Sequence, residues 1–276
     1  MRSAYYNGEY TDFEKIRIPL SDRSIFFGDG VYDAAIGHSG GIYLEKEHIK
    51  RLLDNAARLA IKTTLTHSDI SEILREVAQR CPHGSYFLYF QLSRTANTRA
   101  HAYSNDCGSS FFAYAEPMPI LRHSLRLITT EDKRYRFCNI KTVNLLPSVI
   151  ASKEAADAGC DEAVFVRDGI VTECAHSNIF IVKCGELITH PESDVILPGI
   201  TRRRIINLCR ELQIPCKLRP FTKDELYSAD EIIVTSTSKL CLPASEIDGK
   251  RVGRGKYPLS KLLKHTILRE FLETNY

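Results

Sequence analysis

Lys141 stands out among the ionisable residues because its neighbours are largely apolar, with Ile140 before it and Thr142-Val143-Asn144-Leu145-Leu146 after it. An apolar surround penalises an ammonium charge, the condition under which a lysine amine becomes a nucleophile able to form a Schiff base. The same segment also suits a surface lysine that lays its stem on apolar neighbours and keeps its amine in water. Leu197-Pro198-Gly199-Ile200-Thr201-Arg202 reads as a loop entering a helix, whose first N–H groups suit either a phosphate or an ordinary cap. Thr235-Ser236-Thr237-Ser238 follows an apolar run, and hydroxyls at a strand's C-terminal end serve a phosphate or a turn. Arg99 and His101, two apart on a polar loop, bind a carboxylate if they point the same way and are solvated loop residues otherwise. Glu173 at a strand end, Arg51 on a helix and Tyr32 on a strand are each equally at home in ordinary surface or strand roles. No Walker motif, G-x-G-x-x-G or G-x-S-x-G is present, and no C-x-x-C or H-E-x-x-H, so no metal site is expected.

These residues need elements to position them. Asn7-Gly8 between Ala4-Tyr5-Tyr6 and Glu9-Tyr10-Thr11 signals a two-residue hairpin. Val31–Gly37 and Ile42–Leu44 form a second hairpin around Ser39-Gly40-Gly41. Helical spacing of Ile49, Leu52, Leu53, Ala56 and Leu59 predicts a helix over 45–60, and a second follows over 69–79 with Thr66 or Ser68 as its cap. Strands follow over 86–93 and 109–116. Glu116-Pro117-Met118-Pro119 then interrupts regular structure, which divides the chain into an N-terminal α+β domain (1–116), a linker (117–123) and a C-terminal mixed domain (124–276).

In the second half, Leu125–Thr129 reads as a strand, and Pro147 and Gly159 bracket a helix. Asp168-Gly169 and Cys184-Gly185 are hairpin turns, and helices are expected over 201–212, after the capping box at Thr222, and over 258–272. Between Ile232–Thr235 and that last helix no strand is expected.

Composition sets the class. The chain has 276 residues, of which 43% are hydrophobic and 26% charged, which excludes disordered, collagen-like and coiled-coil chains. Lys and Arg number 37 against 34 Asp and Glu, too even a balance for a nucleic-acid partner. Arg202-Arg203-Arg204 is expected to be a solvated helix face. No apolar run approaches the ~18 residues of a membrane span. The N-terminus carries acidic residues where a leader needs an apolar stretch, which points to the cytoplasm. The nine scattered cysteines are expected to be reduced and mostly buried.

Taken in order, the motifs change the reading. Phe27-Gly28-Asp29-Gly30-Val31-Tyr32, Ile140–Leu146, Glu154-Ala155, Ala158–Ala163, Val171-Thr172-Glu173, Ser177-Asn178, Leu197–Arg202, Val234–Thr237 and Glu246–Lys250 run almost the whole chain. In this set the chain resembles the class-IV pyridoxal-phosphate aminotransferases, and most of all the D-amino-acid aminotransferases. The resemblance implies a fold type IV enzyme: a smaller N-terminal α+β domain and a larger C-terminal mixed α/β, barrel-like domain. It implies pyridoxal 5'-phosphate as cofactor, joined to Lys141 as a Schiff base, with Glu173 at the pyridine nitrogen and Leu197 against the ring. Arg51, the Ile200 and Thr201 N–H groups, and Ser236 with Thr237 would hold the phosphate.

Tyr32, Arg99 and His101 match the group's trap for the substrate α-carboxylate. In that group the Arg-x-His loop serves the neighbouring subunit, which implies a homodimer. The implied reaction is ping-pong transamination between a D-amino acid, such as D-alanine, and a 2-oxo acid, such as 2-oxoglutarate. The alternatives are an aminodeoxychorismate-type lyase releasing pyruvate and a branched-chain L-aminotransferase. Two segments depart from the expected pattern: Cys174-Ala175-His176 after Glu173, where small residues are usual, and Lys239-Leu240-Cys241 after the hydroxyl cluster. They bear on the side-chain preference.

Overall fold

The computed structural model describes residues 2–81, 84–96, 99–120, 123–253 and 255–274. Contacts group the chain into two units: Met1–Ile120 with Ile140–Asn144 and Phe271–Tyr276, and Leu121–Asn139 with Leu145–Glu270. The lysine segment thus groups with the first unit, not with the remainder of 124–276. The reason is local: Thr142 bridges to Val31, and the Tyr32 N–H donates to the Lys141 carbonyl at 3.0 Å. Of the linker expected at 117–123, residues 121 and 122 lie outside the described residues.

The first unit is built on a six-stranded antiparallel sheet. Its strands are β1 (Ser3–Tyr6), β2 (Glu9–Asp12), β3 (Gly30–His38), β4 (Gly41–Ile42), β5 (Ser85–Arg94) and β6 (Ser109–Pro117), in the order β2-β1-β6-β5-β3-β4. The Asn7-Gly8 turn has φ values of 43° and 103°, the positive pair a two-residue hairpin needs. A short helix α1 (Ser24–Phe27), which the sequence reading does not anticipate, leads into β3. Helices α2 (Glu45–Arg58) and α3 (His67–Gln79) bury Ile49, Leu52, Ile70, Leu74 and Val77 in one core with Leu88, Phe90, Phe111 and Ala113 of the sheet. Thr66 caps α3 in a reciprocal pair with Asp69.

Among the described residues the second unit holds nine strands: β7 (Leu125–Glu131), β8 (Glu162–Arg167), β9 (Ile170–Cys174), β10 (Asn178–Lys183), β11 (Glu186–Thr189), β12 (Cys216–Leu218), β13 (Glu231–Ser236), β14 (Leu240–Ile247) and β15 (Lys250–Arg251). They run β12-β11-β10-β13-β14-β7-β8-β9, with β15 beside β14. β7 is parallel to both β14 and β8, which makes the sheet mixed. Helices α4 (Leu146–Asp157), α5 (Ile200–Glu211) and α6 (Lys223–Tyr227) belong to this unit, and α7 (Pro258–Leu272) runs to its end. Pro147 lies in the first turn of α4, and Thr222 and Glu225 form the capping box of α6.

Three expectations need correction. β14 is a central strand, hidden from sequence reading by Pro243, a residue that normally argues against such a position. Arg202 is not on a solvated face: it is buried and donates to the His190 carbonyl at 2.6 Å, while Arg203 is exposed. All nine cysteines are unpaired, but only Cys81, Cys174, Cys209 and Cys241 are buried.

Candidate functional site

In the first unit, β3 places Tyr32 and Asp33 on opposite faces. Lys141 Nζ lies 4.2 Å from the centroid of the Tyr32 ring, which stacks on Tyr89 at 5.3 Å. Asp33 is fully buried and accepts Arg51 Nε at 2.7 Å on one oxygen and Arg51 Nη2 at 2.8 Å on the other. His48 Nδ1 sits 2.7 Å from Asp33 Oδ1. Burial disfavours the Asp33 charge, but Arg51 and His48 override it and hold the carboxyl well below the usual range. For His48, burial outweighs the pull of Asp33 and lowers the imidazole, with Arg51 and Lys141 adding to the effect. The ring is therefore neutral near pH 7, with its Nδ1–H donated to Asp33. Asp33 and His48 fix the direction of Arg51, and the sequence reading assigned neither of them. An acid in the apolar run Tyr32-Asp33-Ala34-Ala35-Ile36 was the available signal.

The loop bearing Arg99 and His101 is exposed. The Arg99 guanidinium lies 5.2 Å from the Phe27 ring centre, and so does the His101 ring. Gly28, with φ +61°, closes α1, and the Asn144 side chain lies only 2.2 Å from where a Cβ would sit. Asn144 donates to the Gly28 carbonyl at 2.8 Å, so only glycine fits this contact.

In the second unit, Glu173 at the end of β9 is buried and accepts three donors: Arg134 Nη1 at 2.5 Å, Asn178 Nδ2 at 2.9 Å and the Leu197 N–H at 3.0 Å. Burial nevertheless pushes its carboxyl up to about 7, against the pull of Arg134. Arg134 is divided, giving Nε and Nη2 to Asp132 at 2.9 and 3.0 Å. Asn178 joins the parts of this region. It bonds Glu173 and the Leu197 carbonyl, pairs with Thr235 across β10 and β13, and presses Oδ1 to within 2.0 Å of where a Gly199 Cβ would stand. Asn178 thereby ties Leu197 and Gly199, the residue before Ile200 and Thr201, to Glu173 and to the strand that ends at Ser236. Thr237 follows that strand, where the Lys239 N–H bonds Ser236 Oγ at 3.2 Å. Arg134, Asp132 and Asn178 were given no role from sequence.

The two unexpected segments meet. Lys239 Nζ reaches Glu162 at 2.8 Å and His176 Nε2 at 2.6 Å, while His176 Nδ1 lies 2.9 Å from Glu162. Lysine can only donate, so Nε2 accepts and the Nδ1–H faces the carboxylate. Both ring nitrogens are engaged. The His176 N–H and Ser177 Oγ also donate to Glu162, at 3.1 and 3.0 Å. Burial works against the Glu162 charge, yet the His176 ring and Lys239 hold the carboxyl down to about 2.

A model of the family described as amino-transferase class IV matches residues 30–247. The chain belongs to this family. It is 33% identical to a D-alanine aminotransferase of Bacillus licheniformis over 98% of both chains. Among solved structures, it superposes on a branched-chain aminotransferase of Thermoproteus uzoniensis with TM-score 0.91, at 26% identity, covering 99% of this chain and 95% of that one. A T.th. branched-chain amino acid aminotransferase solved with pyridoxamine 5'-phosphate gives TM-score 0.90 at 25% identity, over 99% and 95%. These likenesses establish the fold type IV architecture and an aminotransferase that depends on pyridoxal phosphate.

The second unit's residues fit such a group. Helix α5 begins without a side-chain cap, so its first N–H groups are offered to a phosphate. Thr235 Oγ1, buried at the end of β13, has no hydrogen-bond partner among the described residues. Glu173 provides a buried carboxyl suited to a ring nitrogen.

Proposed function

We propose that the chain transaminates D-amino acids, with D-alanine and 2-oxoglutarate as representative partners. The observation that carries this reading is the likeness to the D-alanine aminotransferase across 98% of both chains, together with Tyr32, Arg99 and His101 at the positions of a carboxylate trap.

Pyridoxal phosphate, when bound, supplies a carbonyl for the substrate amine and a ring that spreads the charge left when Cα loses its proton. Lys141 Nζ would be the amine that holds the cofactor and, once displaced by the substrate amine, the base that moves the Cα proton to the cofactor carbon that carried the carbonyl. Glu173 keeps a proton at the ring nitrogen. Arg51, the Ile200 and Thr201 N–H groups, and Ser236 with Thr237 would hold the phosphate, and Leu197 would pack against the ring. Tyr32, Arg99 and His101 fix the substrate carboxylate and so select which enantiomer turns its Cα–H toward Lys141.

We further propose a homodimer in which Arg99 and His101 serve the neighbouring subunit. Their exposure supports this, as does the exposure of Ile18, Leu20, Ile25, Phe26 and Tyr103 in the same unit. The unpaired cysteines suit the reducing cytoplasm.

The solved branched-chain enzymes favour one other reading, an L-aminotransferase. Oxo-acid formation from D-alanine and from L-leucine, each with 2-oxoglutarate, separates the two. The proposal expects pyruvate from D-alanine, none with Lys141→Ala, and little turnover of L-leucine. Turnover of L-leucine alone contradicts it, and pyruvate released over many turnovers from aminodeoxychorismate, with no oxo acid added, indicates a lyase.

A further inference from the structure

Arg23 precedes α1 and is almost fully buried. Its Nε donates to Asp29 Oδ2 at 2.8 Å. Its other two nitrogens reach 77 and 78 residues along the chain: Nη1 donates to the Ala100 carbonyl at 2.5 Å and Nη2 to the His101 carbonyl at 3.1 Å. One planar guanidinium thus grips the two consecutive carbonyls that follow Arg99. The anchor is rigid. Asp29 also accepts Arg94 Nε at 3.0 Å, and Arg94 in turn donates to the Leu59 and Ala60 carbonyls at the end of α2. The Arg23 N–H bonds the Arg94 carbonyl at 2.9 Å. The Phe27 ring sits 4.5 Å from the Arg23 guanidinium and 5.2 Å from both the Arg99 guanidinium and the His101 ring. Arg94 already satisfies Asp29 and ties it to α2, so the distinctive service of Arg23 is to the loop.

We propose that Arg23 is a positioning residue for substrate carboxylate binding: by holding the Ala100 and His101 carbonyls it presets the directions of Arg99 and His101. This rests on the carboxylate-trap reading of Tyr32, Arg99 and His101. An exposed loop left free would have to be ordered by each incoming substrate, and that entropy would appear as weaker binding. Arg23 touches neither substrate nor cofactor in this scheme, so its removal should act through Arg99 and His101 alone.

The test is steady-state kinetics of the cofactor-loaded enzyme and its Arg23→Met, Arg23→Lys, Arg99→Met and Arg23→Met/Arg99→Met variants, with D-alanine and 2-oxoglutarate varied in turn. Arg23→Met is expected to raise KM for both substrates about tenfold while kcat changes less than about threefold and cofactor content is unchanged. Arg23→Lys, which keeps a cation beside Asp29 but has no fork for two carbonyls, should fall between it and the parent. Adding Arg23→Met to Arg99→Met should raise KM by less than it does in the parent, because only His101 is left to be positioned. If Arg99→Met raises KM while both Arg23 variants leave it unchanged, the positioning role is overturned and the trap stands. A full additional KM increase in the double variant overturns it as well. If Arg99→Met itself leaves KM unchanged, the trap fails, and the role of Arg23 fails with it.

Discussion

Asp33 and Glu173 are both buried carboxyls facing an arginine, and they move in opposite directions. Asp33 receives two nitrogens of Arg51, one on each oxygen, and His48 besides. Its anion is secured despite complete burial. Glu173 receives one nitrogen of an arginine that also donates to Asp132, Thr172 and the Val195 carbonyl. Asp132 also repels the Glu173 charge, and burial then prevails. What separates the two is how much of the arginine each carboxyl commands, not its distance. The difference matches their proposed duties. A permanent anion suits Asp33, which orients Arg51, whereas a carboxyl poised near neutrality suits Glu173, which would share a proton with a ring nitrogen.

Breaking the secured pair should have the largest effect. Asp33→Asn removes the fully buried carboxylate that Arg51 and His48 both bond and is expected to cost about 3–5 kcal/mol in urea unfolding. A loss below about 1 kcal/mol would show that Arg51 does not depend on Asp33.

Glu173 sharpens the comparison through pH. Its folded value lies above the ordinary 4.5, so the stability it contributes is complete below about pH 4.5 and is lost as pH rises through about 7. In the cofactor-free protein this amounts to at most about 3 kcal/mol across that window. Glu173→Gln should flatten that part of the stability curve, and an unchanged slope would place the proton elsewhere.

Glu162 behaves like Asp33, and its contribution, present above about pH 4.5, is lost as pH falls toward about 2. Lys239→Met removes the cation bonded to it and should cost about 2 kcal/mol near neutral pH. It should also release His176 Nε2, visible as a change in the ring's ¹⁵N shifts. Unchanged shifts would mean that Lys239 does not hold the ring.

Much of this was legible from local chemistry. Asn7-Gly8, Thr222 with Glu225, and the bracket of Pro147 and Gly159 encode their own turns and caps within a few residues. Lys141, Glu173 and Arg51 emerged from ordered motifs rather than from their own surroundings. What escaped depends on distant partners. Asp132 and Arg134 lie in a charged run whose local pattern gives no hint that Asp132 is buried with Thr172 and Arg134 reaches Glu173. Arg23 lies 77 residues from its acceptor at Ala100, and Pro243 masked a strand that sheet pairing preserves. His176 and Lys239 were recognised as unusual separately, and only the fold shows that they share Glu162.

The most direct test of the central claim is the absorbance of the cofactor-loaded protein on adding D-alanine or L-alanine. The account predicts that D-alanine bleaches the visible band of cofactor joined to Lys141, that L-alanine leaves it, and that 2-oxoglutarate restores it. Bleaching by L-alanine alone would contradict the assigned enantiomer. A visible band that persists in Lys141→Ala would contradict the assigned lysine.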